Sequence, residues 1–260
     1  MTKRTAAVAT VDAITDILKV STGSFECCIV GTSPIVFNRM SEKAKHELLY
    51  PKGRKNAVER QLTLKHIPVE EYRASAHTLK DTSHPTLLAM TSTAFKGALR
   101  SAALDMPGAK KAQIGRLTYI KGEFVGIYGV PKLFMRIVRS ADMNKTPDVR
   151  TRAIVPEWAC VLRVTFVQPL IRAQAVANLL AAAGITVGVG DGRPEKGALS
   201  YGQFRIADKD DEEFQRILTE GGRKAQQVAM DEPVCYDDET TELLSWFDSE
   251  RAQRALKGVA

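Results

Sequence analysis

The chain has 260 residues, 44% hydrophobic and 26% charged, a composition that supports a folded core and excludes wholesale disorder. No stretch approaches the roughly 20 uninterrupted apolar residues of a membrane helix, and Asp12 and Asp16 interrupt any N-terminal signal region, so a cytoplasmic, membrane-free protein is expected. The net charge is +7, yet residues 1–207 carry 30 Lys+Arg against 16 Asp+Glu while residues 208–260 carry 7 against 14, an asymmetry that fits a polyanion binder with a partner-recruiting acidic segment as well as a basic domain with a solubilising tail.

Residues 1–22 read as an N-terminal arm. Ser24–Val30 and Pro34–Phe37 are rich in β-branched and aromatic residues and predict strands, broken at Gly31-Thr32-Ser33. Adjacent Cys27 and Cys28 then point to opposite faces; with Cys160 and Cys235 they read as reduced, structural thiols, since no C-x-x-C pairing is present. From about residue 38 to 85 the chain turns basic and is punctuated by Pro51, Gly53, Pro68 and Pro85, which predicts an insertion of short helices and loops. Thr91–Asp105 predicts a helix, capped by Ser92 or Thr93 and stopped at Met106-Pro107-Gly108. Phe95, Leu99, Ala102 and Ala103 form its apolar face, and Lys96 and Arg100 stack one turn apart on another.

Leu117–Tyr128 and Pro131–Val138 read as two strands joined across Gly129. Cys160–Val167 alternates as a strand does, with one buried and one mixed face. Ala173–Ala183 predicts a helix with Val176, Leu179, Leu180 and Ala183 as its apolar stripe and Gly184 as its terminator. Ile185–Val189 and Tyr201–Ile206 read as short strands on either side of a glycine-rich turn. Beyond Asp208 lie an acidic run, a helix over Glu212–Leu218, and an apolar cluster (Leu243, Leu244, Trp246, Phe247) expected to pack on the body. Strand–helix–strand, repeated twice, gives an α+β fold: a ferredoxin-like (RRM-like) core over residues 23–207, with a basic insertion after the first strand and an acidic C-terminal extension over 208–260.

The strongest local signal is Gly188-Val-Gly190-Asp-Gly192-Arg-Pro-Glu-Lys-Gly197, followed by Ser200-Tyr201-Gly202-Gln-Phe204. Alternating glycines admit positive φ and can turn backbone N–H groups toward an anion, with Arg193 and Lys196 as cations at the tip. It is neither a Walker loop nor a dinucleotide fingerprint, and a glycine-rich hairpin is often purely structural.

The segment from Ile185 to Ile206 resembles the glycine-rich loop of the RAMP superfamily, the RNA-binding proteins of CRISPR systems. TSTAFKGALRSAA, from Thr91 to Ala103, resembles the superfamily's second signature, and the two together span roughly residues 24–206. The stretch from Arg152 through Trp158 to Phe204 is also similar to a family of phage proteins. The resemblance implies a backbone subunit, repeated copies of which pack along a single strand and grip its sugar-phosphate. It nominates Ser92, Thr93, Lys96 and Arg100 on the helix, and Gly188, Gly190, Arg193, Lys196 and Gly197 on the loop, which in that superfamily can be architectural. Arg39, just after the first strands, is a further candidate.

No catalytic, metal or cofactor site is expected. Some RAMP subunits cut RNA with an acidic residue after the first strand; here that loop offers Glu42 and Glu47 and no Asp. His46, His66, His77 and His84 all lie in the insertion, with no evident paired acid or base. Phe37, Tyr50, Tyr72, Tyr119, Phe134 and Tyr201 are available for base stacking. The leading expectation is a non-enzymatic, homo-oligomeric protein on single-stranded DNA or RNA, with phage single-stranded DNA in replication or recombination preferred. Its rivals are a guide-RNA-binding subunit of a CRISPR-like effector, a metal-independent endoribonuclease, and an interaction protein whose basic patch is incidental. The acidic segment is a candidate contact for a protein partner.

Overall fold

A computed structural model describes residues 17–40, 45, 48–50, 65–139, 147–196 and 199–257. Two long antiparallel strands form its centre: β1 (Ser21–Gly31) and β9 (Ala159–Gln168), in register from Ser21↔Gln168 to Val30↔Ala159. β10 (Phe204–Ala207) pairs with the far end of β1, and β5 (Thr118–Ile120) with β9, giving the order β10-β1-β9-β5. Between these strands run α2 (Ser92–Ala102) and α4 (Ala173–Thr186), so the chain follows a β-α-β-β-α-β path with antiparallel neighbours. The α+β class stands.

Alternation along the central strands decides what lies on each side. Cys27, Ile29, Cys160, Leu162, Val164 and Phe166 join Phe95, Leu99, Val176 and Leu180 of the two helices in the main core. Cys28 and Val30 face the other way and are covered by Phe214 and Ile217 of α5 (Glu212–Glu220). The adjacent cysteines therefore do separate across the sheet, and all four are free thiols. Burial pushes the Cys27 thiol up to about 11, with the neighbouring Cys28 adding to the effect.

Two smaller sheets fill the connections. One is β3 (His77–Thr78), β4 (Leu88–Thr91) and β6 (Phe124–Gly126). The other is β2 (Ile35–Val36) beside the hairpin of β7 (Lys132–Arg139) and β8 (Pro147–Val155). The described part of the basic insertion holds α1 (Pro68–Ala74) and β3. β1 begins at Ser21, inside the stretch read as an arm; the arm before residue 17 lies outside the described residues.

Several sequence readings change. The expected strand Leu117–Tyr128 is interrupted: α3 (Lys111–Leu117) precedes β5, and a turn with Gly122 at φ +87° separates β5 from β6. β8 was not anticipated, because Pro147, Asp148, Arg150 and Arg152 obscure its alternation of Val149, Thr151, Ala153 and Val155. α4 passes through Gly184 and continues to Thr186, so Ile185–Val189 is not a strand. Gly184 is instead a contact point: a Cβ there would lie 2.1 Å from the Phe204 carbonyl oxygen. The cap of α2 is Thr91 rather than Ser92 or Thr93, and no side chain caps it.

The segment after residue 207 is part of the body. Beyond α5 come α6 (Arg223–Asp231) and α7 (Asp238–Lys257). Leu243, Leu244 and Phe247 pack against the main core as expected, while Trp246 stays 57% exposed. Gln226 of α6 is fully buried and bonds to three backbone segments. Its Oε1 accepts from the Leu87 and Leu88 N–H groups at 2.7 and 3.0 Å; its Nε2 donates to the Ile127, Gly129 and Gly221 carbonyls at 2.7, 3.0 and 3.0 Å.

Two measurements test these joints. Gln226→Leu leaves buried backbone groups without partners and should lower unfolding stability by about 3 kcal/mol or more in urea titration. His66 bridges α1 to β8, with Nδ1 2.9 Å from Glu71 and Nε2 3.0 Å from Asp148, and the Glu71 hydrogen bond foremost raises its pKa. A raised folded-state pKa contributes stability that is complete below the unfolded value of about 6.5 and vanishes as pH climbs through the folded one. The stability gap between wild type and His66→Gln should therefore shrink as pH rises above about 6.5.

Candidate nucleic-acid interface

Three segments distant in sequence meet on one side of α2. The first is the exit from β2. Phe37 is buried, its N–H donates to the Ala153 carbonyl at 3.0 Å, and Arg39 is fixed by its own N–H on the Ser75 carbonyl at 2.7 Å. The second is α2 itself, which presents Thr93, Gly97 and Ser101 at four-residue spacing, with Ala94 and Ala98 beside them. Such small residues keep that wall low; a Cβ on Gly97 would meet nothing within 4 Å.

The third is the glycine-rich loop, held by its own backbone. The Gly188 N–H donates to Ala183 at 2.9 Å, that of Val189 to Gly202 at 2.9 Å, and that of Asp191 to Val36 at 2.9 Å. These N–H groups are occupied and do not form an anion cradle. The positive φ values of Gly188 (+71°) and Gly190 (+86°) serve close approach instead: a Cβ on Gly190 would lie 2.6 Å from the Val36 carbonyl oxygen.

Together the segments enclose a cleft of about 340 Å³, whose walls include Arg39, His77, Thr93, Gly97, Arg193 and Lys196. Among the described residues, three cations line it against two carboxylates, Asp191 and Glu195. Both carboxylates are engaged. Asp191 pairs with Arg152, whose guanidinium burial pulls down to about 10, still charged at neutral pH. Glu195 accepts from the Ser101 hydroxyl, foremost, and from Arg193 at 3.0 Å, which together hold its carboxyl below the usual range. Arg193 also donates to the Gly190 carbonyl at 3.0 Å, so it braces the loop. His77 packs on Phe124 at 5.1 Å between ring centroids; burial first, then Arg39 and Lys45, lowers its pKa and favours the neutral imidazole.

Of the ten residues nominated from sequence, Arg39, Thr93, Gly190, Arg193 and Lys196 come together here. Ser92 lies behind the wall, its N–H and Oγ both donating to the Glu123 carbonyl at 2.9 and 3.1 Å. Gly188 is likewise at the base of the loop. Lys96 and Arg100 are on the other flank of α2: the Lys96 ammonium sits 4.5 Å over the Tyr119 ring, and Arg100 lies across Gly115 of α3. Lys96 and Arg100 thus form a group separate from Arg193. Gly197 is outside the described residues, as are Glu42, His46 and Glu47.

Sequence reasoning named His77 only as a histidine of the insertion without an evident acid or base partner, and missed Ser101, which the helical spacing from Thr93 could have supplied. It also missed the pairing of His66 with Glu71 and Asp148, a cluster outside the cleft lining. Among the aromatics, Phe37 and Tyr72 are 1% and 0% exposed, and Phe134 and Tyr201 pack edge to face at 5.9 Å. Tyr119 and Tyr50 are exposed, at 45% and 60%.

None of the described residues of the acidic segment lines the cleft. Asp237, just before α7, instead accepts from Arg136, which also pairs with Glu239 at 3.2 Å and stacks 4.4 Å above Phe134. No helix among the described residues is long and apolar enough to cross a membrane.

No family model matches the chain. No curated protein matches it significantly. Among solved structures, the crystal structure of Cmr6 from Pyrococcus furiosus is similar over 72% of this chain and 98% of that one, at 10% identity and a TM-score of 0.38.

Gly190→Ala forces a Cβ onto both a left-handed backbone and the Val36 carbonyl. It should cost about 2 kcal/mol of stability in chemical denaturation.

Proposed function

We propose that the protein binds single-stranded RNA through its sugar-phosphate backbone, without cutting it, by seating a phosphodiester in the cleft beside α2. The observation that carries this reading is the convergence of Arg39, Thr93 and Lys196 from three separate segments onto one concave surface whose two carboxylates already have arginine partners. Lys196 therefore keeps its charge toward an anion, and phosphate contacts supply most of the affinity of such interfaces. The Thr93 and Ser101 hydroxyls stand beside the cations; each donates within the protein, to Thr91 and Glu195, and keeps lone pairs that can accept from a 2′-hydroxyl. That favours RNA over DNA, in keeping with the two motifs that resemble RNA-binding proteins of CRISPR systems, and with a subunit that holds a guide strand alongside other subunits.

Gly97 supplies the test, since its open surroundings accept a side chain without disturbing the core. Gly97→Glu should weaken binding of a labelled oligouridine by about ten-fold or more by placing a carboxylate beside the phosphate, at unchanged melting temperature. Gly97→Ala should bind as wild type and gain about 0.5–1 kcal/mol of helix stability. Lys196→Gln should lower the slope of log affinity against log salt by about one. Oligothymidine of equal length measures the preference for RNA, and light scattering of the complex counts the copies on a strand. Indifference of RNA affinity to Gly97→Glu would overturn the reading.

A further inference from the structure

The flank of α2 that faces α3 carries a second group of cations, arranged around an exposed aromatic ring. Tyr119 stands on β5, the end strand of the main sheet, and 45% of its surface is open. Its hydroxyl donates to the Arg116 carbonyl at 2.7 Å, which fixes the tilt of the ring, and the Lys96 ammonium covers part of it from 4.5 Å. Beside it, α3 borders a depression of about 500 Å³ with Ala112, Leu117 and the half-exposed Leu170 among its lining and Lys110 and Arg116 as its cations. Arg100 reaches the same helix across Gly115.

The cations of this flank are unpaired, as are some elsewhere, such as Lys132, Arg139 and Arg150, but here they surround an exposed ring. Arg136, Arg152, Arg163, Arg193, Arg205 and Arg216 are each joined to a carboxylate. Among the described residues Lys96, Arg100, Lys110 and Arg116 have no ion-pair partner, although they are gathered on adjoining helices. Like charges held together without counter-charges repel one another, and a polyanion relieves that cost. An apolar surface and a clamped ring between them suit a nucleobase, whose faces are apolar and aromatic and whose flanking phosphates reach the cations.

We infer that Tyr119 is a stacking platform for one base of the bound strand, with Lys96, Arg100, Lys110 and Arg116 holding the adjoining phosphates. The inference rests on the reading of the cleft as a single-strand site, and it gives that strand a course from the cleft around α2 to the edge of the sheet. Affinity at this subsite comes from the base as well as the phosphate, which the cleft reading does not require.

The experiment compares oligouridine with an abasic oligomer of the same length, using Tyr119→Leu, Tyr119→Phe and Tyr119→Trp. Tyr119→Leu should weaken oligouridine binding roughly 5- to 100-fold and leave abasic binding unchanged; Tyr119→Phe should stay near wild type. Tyr119→Trp should bind, and its emission should be quenched when bases are present, a readout that does not depend on the leucine variant folding well. Equal loss on both oligomers, or no loss on either with the tryptophan unquenched, overturns the platform. If Gly97→Glu still abolishes binding in that case, the cleft stands alone. If wild type binds neither oligomer, both readings fall.

Discussion

The cleft exists because two stretches of main chain touch without side chains between them. The Gly202 N–H reaches the Pro34 carbonyl at 2.8 Å, the Asp191 N–H reaches that of Val36 at 2.9 Å, and Val189 closes the loop on Gly202 at 2.9 Å. Gly202, with φ +71°, has no room for a Cβ, which would fall 1.7 Å from the Val189 carbonyl oxygen. This seam fixes β2 beside the loop, so Arg39 emerges next to Arg193 and Lys196. Trp158 supports it from beneath: the fully buried ring donates to the Ser33 carbonyl at 2.8 Å, packs on Phe204, and occupies the space a side chain at position 31 would need. Backbone hydrogen bonds buried among apolar groups are costly to leave unmade, so the seam is rigid as well as close.

The central strand β9 and the two helices packed on the main sheet were legible in the sequence, because each rests on a long stretch with one clear period. Val176, Leu179, Leu180 and Ala183 mark α4, and Cys160, Leu162, Val164 and Phe166 mark β9. Short elements carry too few residues to show a period, which is why β5 and β6 fused into one expected strand. Glycine was ambiguous in a different way. Its freedom of φ fits either a phosphate cradle or a close main-chain contact, and only the partners of the N–H groups tell these apart. At Val189 and Asp191 those partners are carbonyls. Half the nominated residues line the cleft because helix spacing and chain order were right. Lys96 and Arg100 do not, since a residue on a helix can be assigned to a face from sequence, whereas the neighbour of that face cannot.

The same limit applies to charge. A block of acidic residues after position 207 invites a picture of a detached tail, yet much of that charge is used within the fold. Arg205 is bidentate to Asp211 and adds Glu213 at 2.8 Å, and Arg136 is shared by Asp237 and Glu239. Arg216 of the acidic segment answers in return to Glu157 of the body. Asymmetry along the chain has become neighbourhood in space. Among the described residues other cations keep no such neighbour, including those on the flank of α2 that faces α3.

The two tryptophans of the chain occupy opposite environments, Trp158 with 0% and Trp246 with 57% of its surface exposed. An indole sealed among Phe204 and the sheet end emits toward the blue and is hidden from aqueous quenchers, while one on the last helix emits toward the red and meets them. The polypeptide therefore carries a built-in optical pair. Loosening of the terminal helix and collapse of the corner beneath the loop register at different wavelengths of a single emission spectrum, with no label attached.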